Sequence, residues 1–204
     1  MEIDIDDFIE GFSHTFLNLN QKWPWLITGD ISEIIQEYIV GLDSTYCIDH
    51  GIAIHRSATI ESNVIIKAPA IVGEGCFIGA NAYLRGGVFL GKRTVIGTSC
   101  EVKSSIILNE SAIAHFNFIG DSIIGNRVNF EAGSIIANHY NEKEDKSIRV
   151  LIDSQIIETN VNKFGALVGD NSKIGANAVL SPGTILKKKT VVKRLELIEQ
   201  YISG

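Results

Sequence analysis

Residues 72–103 read VGEGCFIGANAYLRGGVFLGKRTVIGTSCEVK, and every sixth position is aliphatic: Val72, Ile78, Leu84, Leu90, Ile96 and Val102. Upstream, the same slot holds Ile54, Ile60 and Ile66. Downstream it arrives one residue early at Ile107, returns to six at Ile113 and Ile119, comes early again at Ile124, and continues at Phe130 and Ile136. A later register runs Val168, Ile174, Leu180, Leu186, Val192. Glycine often follows the slot, as at Gly73, Gly79, Gly91 and Gly97, and small residues such as Ala58, Thr94, Ala178 and Thr190 recur four places after it.

A period of six is neither helical, which needs spacings of three and four, nor the alternation of a long strand. A β-sandwich would space its strands by 8–12 residues with variable loops. Six residues make one short strand and a turn, and three such units close a triangular coil of about eighteen residues. Coils of this kind stack with parallel strands ~4.8 Å apart. The slot residue points into the prism, and glycine relieves the corners. The pattern predicts a mainly β chain, a parallel β-helix of hexapeptide repeats over 51–204.

The flanks differ. Residues 1–50 do not repeat, and we expect two helices packed together or against the first coils, capping the open end that such stacks must cover. Substrate recognition is the sharper alternative for this segment. Ile5, Phe8, Ile9, Phe12 and Phe16 fit one helical face. Trp23-Pro24-Trp25 breaks the chain, and a second helix follows Asp30, with Glu33 completing a capping box. Residues 139–163 interrupt the register as a polar loop followed by β-structure at 148–157, and a short helix is expected over Arg194–Tyr201.

Composition narrows the function classes. The chain has 204 residues, 45% hydrophobic, with a net charge of −6, and this gives no support for nucleic-acid binding. No apolar run suggests a membrane helix, and the acidic start (Glu2, Asp4, Asp6, Asp7) is the wrong charge for a secretory signal. Cys47, Cys76 and Cys100 are read as buried packing residues in a reducing, cytoplasmic protein. The five histidines are scattered and no CxxC occurs, so no metal site is expected.

The coil serves as a ruler. Arg85 follows inward Leu84, and Lys103 follows inward Val102, so the two bases stack on neighbouring coils. They would repel unless an anion lies between them, phosphate being the natural candidate; two solvated surface bases are the plain alternative. His115 is two places after Ile113, and Asn138 two places after Ile136. Counting faces puts both on one edge, so that Arg85, Lys103, His115, Asn129 and Asn138 converge there. Histidine suits base work near neutral pH.

The stretch from Ile78 to Ile136 resembles the acetyltransferase domain of the bacterial bifunctional glucosamine-1-phosphate acetyltransferase/N-acetylglucosamine-1-phosphate uridyltransferase. The matching pieces are Leu84-Arg85, Glu101-Val102-Lys103, Ala114-His115-Phe116-Asn117-Phe118-Ile119-Gly120-Asp121 and Asn129-Phe130-Glu131-Ala132-Gly133. More loosely, Pro24-Trp25 and Lys163-Phe164-Gly165-Ala166 are similar to segments of short hexapeptide-repeat proteins labelled N-acetylglucosamine pyrophosphorylase.

The resemblance implies a left-handed β-helix and transfer of an acetyl group from acetyl-CoA to an amino-sugar phosphate. The shared edge alone is too open to exclude water, so a homotrimer with parallel prisms is expected, a neighbouring copy walling it. In that reading His115 is the base, and Asn138 places the amine or the thioester. Arg85, Glu101 and Lys103 bind the sugar phosphate with Phe118 and Asn129, and coenzyme A runs from Asn138 toward Ala176, Asn177 and the final turns. Lys146 lies where the family has a further basic residue. Two departures stand out: Phe118 replaces a family tyrosine, and Asn138-His139-Tyr140-Asn141 replaces Asn-Tyr-Asp-Gly. Residues 1–50 have no glycine-rich loop with an arginine, so uridyl transfer is not expected of them. A nucleotide-linked amino sugar as acceptor, or a non-catalytic β-helix scaffold, are the alternatives.

Overall fold

The computed structural model describes residues 3–17 and 19–200. The repeats build a left-handed parallel β-helix with three faces. Face I stacks Thr59–Ile60, Phe77–Ile78, Val95–Ile96, Ala112–Ile113, Asn129–Phe130, Lys173–Ile174 and Val191–Val192. Face II carries Ile65–Ile66, the first halves of strands Tyr83–Leu90 and Glu101–Ile107, then Phe118–Gly120, Ile135–Ile136, Val179–Leu180 and Leu197–Ile198. Face III carries Ile52–His55, Ala70–Val72, the second halves of the two long strands, Ile123–Ile124, Ala166–Val168 and Thr184–Leu186.

The register pairs slot on slot: Leu84 with Val102, Val102 with Ile119, Ile119 with Ile136, Ile136 with Leu180. Every slot residue from Val72 to Val192 lies in one buried core, with Ile54, Ile60 and Ile66 packed at its end. The coils touch closely at the corners. A Cβ on Gly97 would sit 2.0 Å from the Ala114 carbonyl oxygen, so only glycine lets those two turns stack.

The N-terminal segment does not cap an end of the solenoid; it lies along face III. The outward residues of that face are apolar: Ala53, Ile71, Phe89, Ile106, Ile123, Leu167 and Ile185. A sheet apolar on both sides must be covered on both. The cover is supplied by Ile5, Ile9, Phe12, Phe16, Trp25, Ile31 and Ile35, and by Ile148, Val150 and Ile152 of the excursion, in a second buried core. Asp170 ties the layer down, accepting from Glu10 N at 2.8 Å and from Asn126 N at 2.6 Å.

Other local expectations also change. The first helix is not continuous: a 3₁₀ turn at Ile5–Asp7 and helix α1 (Phe12–Thr15) are separated by Gly11, whose φ is +72°. Helices α2 (Pro24–Gly29) and α3 (Ile31–Val40) follow. Asp30 stands at the N-cap of α3 but makes no side-chain cap, so the capping box is not formed. The excursion holds an antiparallel hairpin, Arg149–Ile152 with Gln155–Glu158. The coil continues through Leu197–Ile198 instead of forming a helix from Arg194 to Gln200; Tyr201 lies outside the described residues. Cys76 and Cys100 are buried, but Cys47 is exposed on the hairpin that opens the first coil. Among the described residues no helix is long and apolar enough to cross a membrane.

Candidate functional site

The edge between faces II and III gathers charge. Arg85 and Lys103 are direct register partners, as the ruler requires, but each is neutralised within the chain. Arg85 donates to Glu101 from Nε at 2.7 Å and approaches it with Nη2 at 2.6 Å. Lys103 Nζ donates to Asp121 Oδ2 at 2.6 Å, the two side chains being 16% and 10% exposed. The same carboxylate oxygen accepts from Asn138 Nδ2, and Asn138 is buried. Two interleaved carboxylates therefore do locally what the sequence assigned to a bound anion.

The 139–163 excursion leaves from this edge and returns to it. Phe164 N donates to the Asn138 carbonyl at 3.0 Å, and Gly165 N to the Asp121 carbonyl at 2.9 Å. The return brings exposed Lys163 beside Asp121 around one cavity. Among the described residues Lys163 has no ion pair. Asp121 and Lys163 had no assigned role in the sequence reading. The signal for Asp121 was present, since it stands eighteen residues after Lys103. Lys163 is reached only by closing a loop whose path the repeat does not dictate.

His115 is elsewhere. It is exposed in the turn between face I and face II, where Gly133 N donates to its carbonyl at 2.9 Å. Four slots separate Ile113 from Ile136, which is one full coil plus one face, so the residues two places beyond them occupy different corners. Face II separates the two edges; at ~3.3 Å per residue, Asn117 and Asp121 at its ends lie roughly 13 Å apart. The single edge expected for His115 and Asn138 is thus two edges of one face. Asn129 is on neither: it opens an outward strand position on face I between Ala112 and Lys173. Phe118 is half-buried on face II between Glu101 and Ile135. Lys146 is exposed on the excursion.

The His115 corner has its own architecture. Phe116 holds a left-handed φ of +57° and is 67% exposed. Behind it Asn117 is 2% exposed; its Nδ2 donates to the His115 carbonyl at 3.1 Å, and its Oδ1 has no partner among the described residues. Further along the same edge lie Ala176 and Asn177. Ala176 N donates to Glu131 Oε2 at 2.9 Å, and Arg194 grips the same carboxylate from Nε at 2.7 Å. These bonds, with the Arg194 side-chain bond first, hold the Glu131 carboxyl below its usual range. A groove of about 440 Å³ adjoins them, lined by Lys173, Lys193, Arg194 and the Glu131 that pairs Arg194.

Burial pushes the thiols of Cys76 and Cys100 up, which suits packing and not nucleophilic attack. Among the described residues no cluster of three or more His, Cys, Asp or Glu is placed to hold a metal.

Known proteins match these coils. Residues 51–86 match the bacterial transferase hexapeptide (six repeats), and residues 165–193 the hexapeptide repeat of succinyl-transferase. The bifunctional protein GlmU of Methanocaldococcus jannaschii is 43% identical over 142 residues, 61% of this chain and 34% of that protein. GlmU of Methanococcus maripaludis is 33% identical over 168 residues, 81% of this chain and 40% of that protein. A bifunctional sugar-1-phosphate nucleotidylyltransferase/acetyltransferase of Sulfurisphaera tokodaii is 39% identical over 93 residues, 45% of this chain and 22% of that protein. The chain therefore spans well under half the length of these relatives. With its phased slots and parallel coils, the chain is similar to hexapeptide-repeat transferases and to part of the bifunctional GlmU proteins.

Proposed function

We propose that this chain is an acyltransferase that moves the acetyl group of acetyl-CoA onto the amino group of a sugar phosphate, glucosamine 1-phosphate being the acceptor the resemblance favours, in the supply of UDP-N-acetylglucosamine for the cell envelope. The observation that carries this reading is the pairing of acetyltransferase relatives with a charged edge at Lys103, Asp121 and Asn138 beside a face that ends at His115.

The amine nitrogen attacks the thioester carbonyl carbon, and the C–N bond forms as the carbonyl π pair moves to oxygen. His115 takes the proton that the nitrogen sheds. Collapse breaks the C–S bond, and the thiolate leaves with the proton returned from His115. Backbone N–H groups of the corner are suited to the transient oxyanion. Asn138, fixed by Asp121, orients the acceptor, while the unpaired Lys163 attracts its phosphate and Lys103 offsets the Asp121 charge beside it.

The division of these groups between two edges argues for a site shared by two copies. Face II exposes Ile65 at 52%, Ile135 at 40% and Leu197 at 59%, and face I exposes Val95 and Val191, an apolar surface of the kind a partner covers. A cyclic homotrimer would set the His115 edge of one cytoplasmic protomer against the Lys103 edge of the next. The test is thiol release from acetyl-CoA with glucosamine 1-phosphate, then with a nucleotide-linked amino sugar. Turnover with the first supports the reading, turnover with only the second moves the acceptor, and none with either leaves a scaffold.

A further inference from the structure

The Lys103 edge is continued by a cavity of about 640 Å³ that the repeats alone do not make. Ser104 and Asp121 form its floor, Gly29 and Ser32 of the helical layer its outer wall, and Asn162 and Lys163 its far side. Asp121 is the carboxylate that already holds Lys103 and Asn138, so the cavity and the candidate site are continuous.

The wall is built in. The two glycines after Arg85 are both left-handed, at φ +71° and +88°, and the strand register shifts there. A Cβ on Gly87 would lie 2.9 Å from Ile31 Cγ2 and 3.1 Å from the Ser32 nitrogen, so the start of α3 rests directly on this bulge. Ser32 Oγ faces the Gly86 carbonyl at 3.4 Å, a long bond that leaves the hydroxyl available. The charge is unbalanced as well. Lys103 is matched by Asp121, while Lys163 has no ion pair among the described residues. With Asp121 engaged by Lys103 from the adjoining edge, Lys163 is the lining's uncompensated charge, and it stands with Ser32, Ser104 and Asn162 among the apolar Trp25, Ile31 and Val161, a lining suited to an anionic, hydroxyl-bearing group.

We propose that this cavity receives the phosphate-bearing end of the acceptor, and that α2 and α3 are the wall that decides which acceptors fit, with Gly29 and Ser32 as specificity-determining positions. The proposal rests on the acceptor reading above. Gly29 offers a clean probe, because a Cβ there meets nothing within 4 Å. Gly29→Leu extends a side chain into the cavity, and Ser32→Asp adds a negative charge at a helix first turn, where acidic residues are well tolerated.

The experiment is calorimetric titration of the full chain with glucosamine 1-phosphate and with glucosamine, without acetyl-CoA. Wild type should bind the phosphorylated sugar at least roughly tenfold more tightly. Each variant should weaken that binding by roughly tenfold or more while keeping the wild-type melting temperature and Michaelis constant for acetyl-CoA. Unchanged binding in a folded variant of either kind would overturn the proposal, as would wild type failing to bind glucosamine 1-phosphate. Binding lost in the variants but no acetyl transfer by wild type would sink the catalytic reading and leave the cavity assignment standing.

Discussion

Ile106→Ala separates a helical layer that covers a face from one that caps an end. Ile106 points away from the prism interior, its neighbour Ile107 occupying the inward slot, yet it is 0% exposed because the N-terminal layer packs over it. Truncating a fully buried isoleucine costs about 2–5 kcal/mol, from lost transfer energy and the residual cavity. Taking about 3 kcal/mol, and about 2–4 °C per kcal/mol for a domain of this size, the melting temperature should fall by roughly 6–12 °C. Ile156→Ala is the control: the same chemistry on a residue 55% exposed should shift stability by less than about 0.5 kcal/mol. The assay is circular-dichroism melting of both variants at one protomer concentration, since assembly shifts apparent stability. An Ile106→Ala melting temperature within about 2 °C of wild type would mean that face III is open to solvent and that the helices lie elsewhere.

Lys103→Ala should raise the Michaelis constant for the sugar phosphate by roughly tenfold, and far more than that for acetyl-CoA, because it leaves the Asp121 carboxylate unpaired beside the phosphate; steady-state kinetics on both substrates check it. In the native protein only Cys47 should react with a thiol reagent at mildly alkaline pH, because burial raises the other two thiols, and all three cysteines should react after denaturation. The Glu131 carboxyl is held low by Arg194, so the stability this pair contributes is present above the ordinary carboxylate range and lost as pH falls through the lowered folded value. Melting temperatures between about pH 6 and 3 should therefore fall more steeply for wild type than for Glu131→Gln. Ile96→Asp, which places an unpaired charge inside the prism, should abolish folding; soluble, cooperatively melting protein would show the register to be wrong.

The slots were legible because burial imposes them: each inward residue from Val72 to Val192 contacts the same core. The stacking of Arg85 on Lys103 followed from the same ruler. The position of the helical layer was written one residue away from the slots. On face III the residue before the inward one is apolar on every coil, as in Ile71-Val72, Ile106-Ile107 and Leu167-Val168, whereas face I has Thr59, Asn129 and Lys173 at that position and face II has Glu101, so the doubly apolar face needs a cover along its length. The continuation at Ile198 sits six after Val192 and extends the last register. The first helix failed because Gly11 turns left-handed between two apolar runs whose spacing is helical. The two edges were merged because a corner depends on the slot count modulo three, and four slots between Ile113 and Ile136 shift it by one face. Lys163 could not be placed from the sequence, since a hairpin intervenes between it and Asn138.

The most direct test of a site divided between two edges is subunit complementation. His115→Ala should lower turnover by roughly 100- to 10,000-fold with the fold intact, because the side chain is exposed, and Lys103→Ala should be impaired at low acceptor concentration. Co-expressed in equal amounts, the two variants mix in trimers, and about a quarter of the shared sites pair an intact His115 with an intact Lys103. Acetyl-CoA-dependent thiol release at low glucosamine 1-phosphate should then recover to about a quarter of the wild-type rate. Mixed trimers that form but stay as inactive as the separate variants, or a protein that light scattering shows to be a stable monomer at micromolar concentration, would contradict the account.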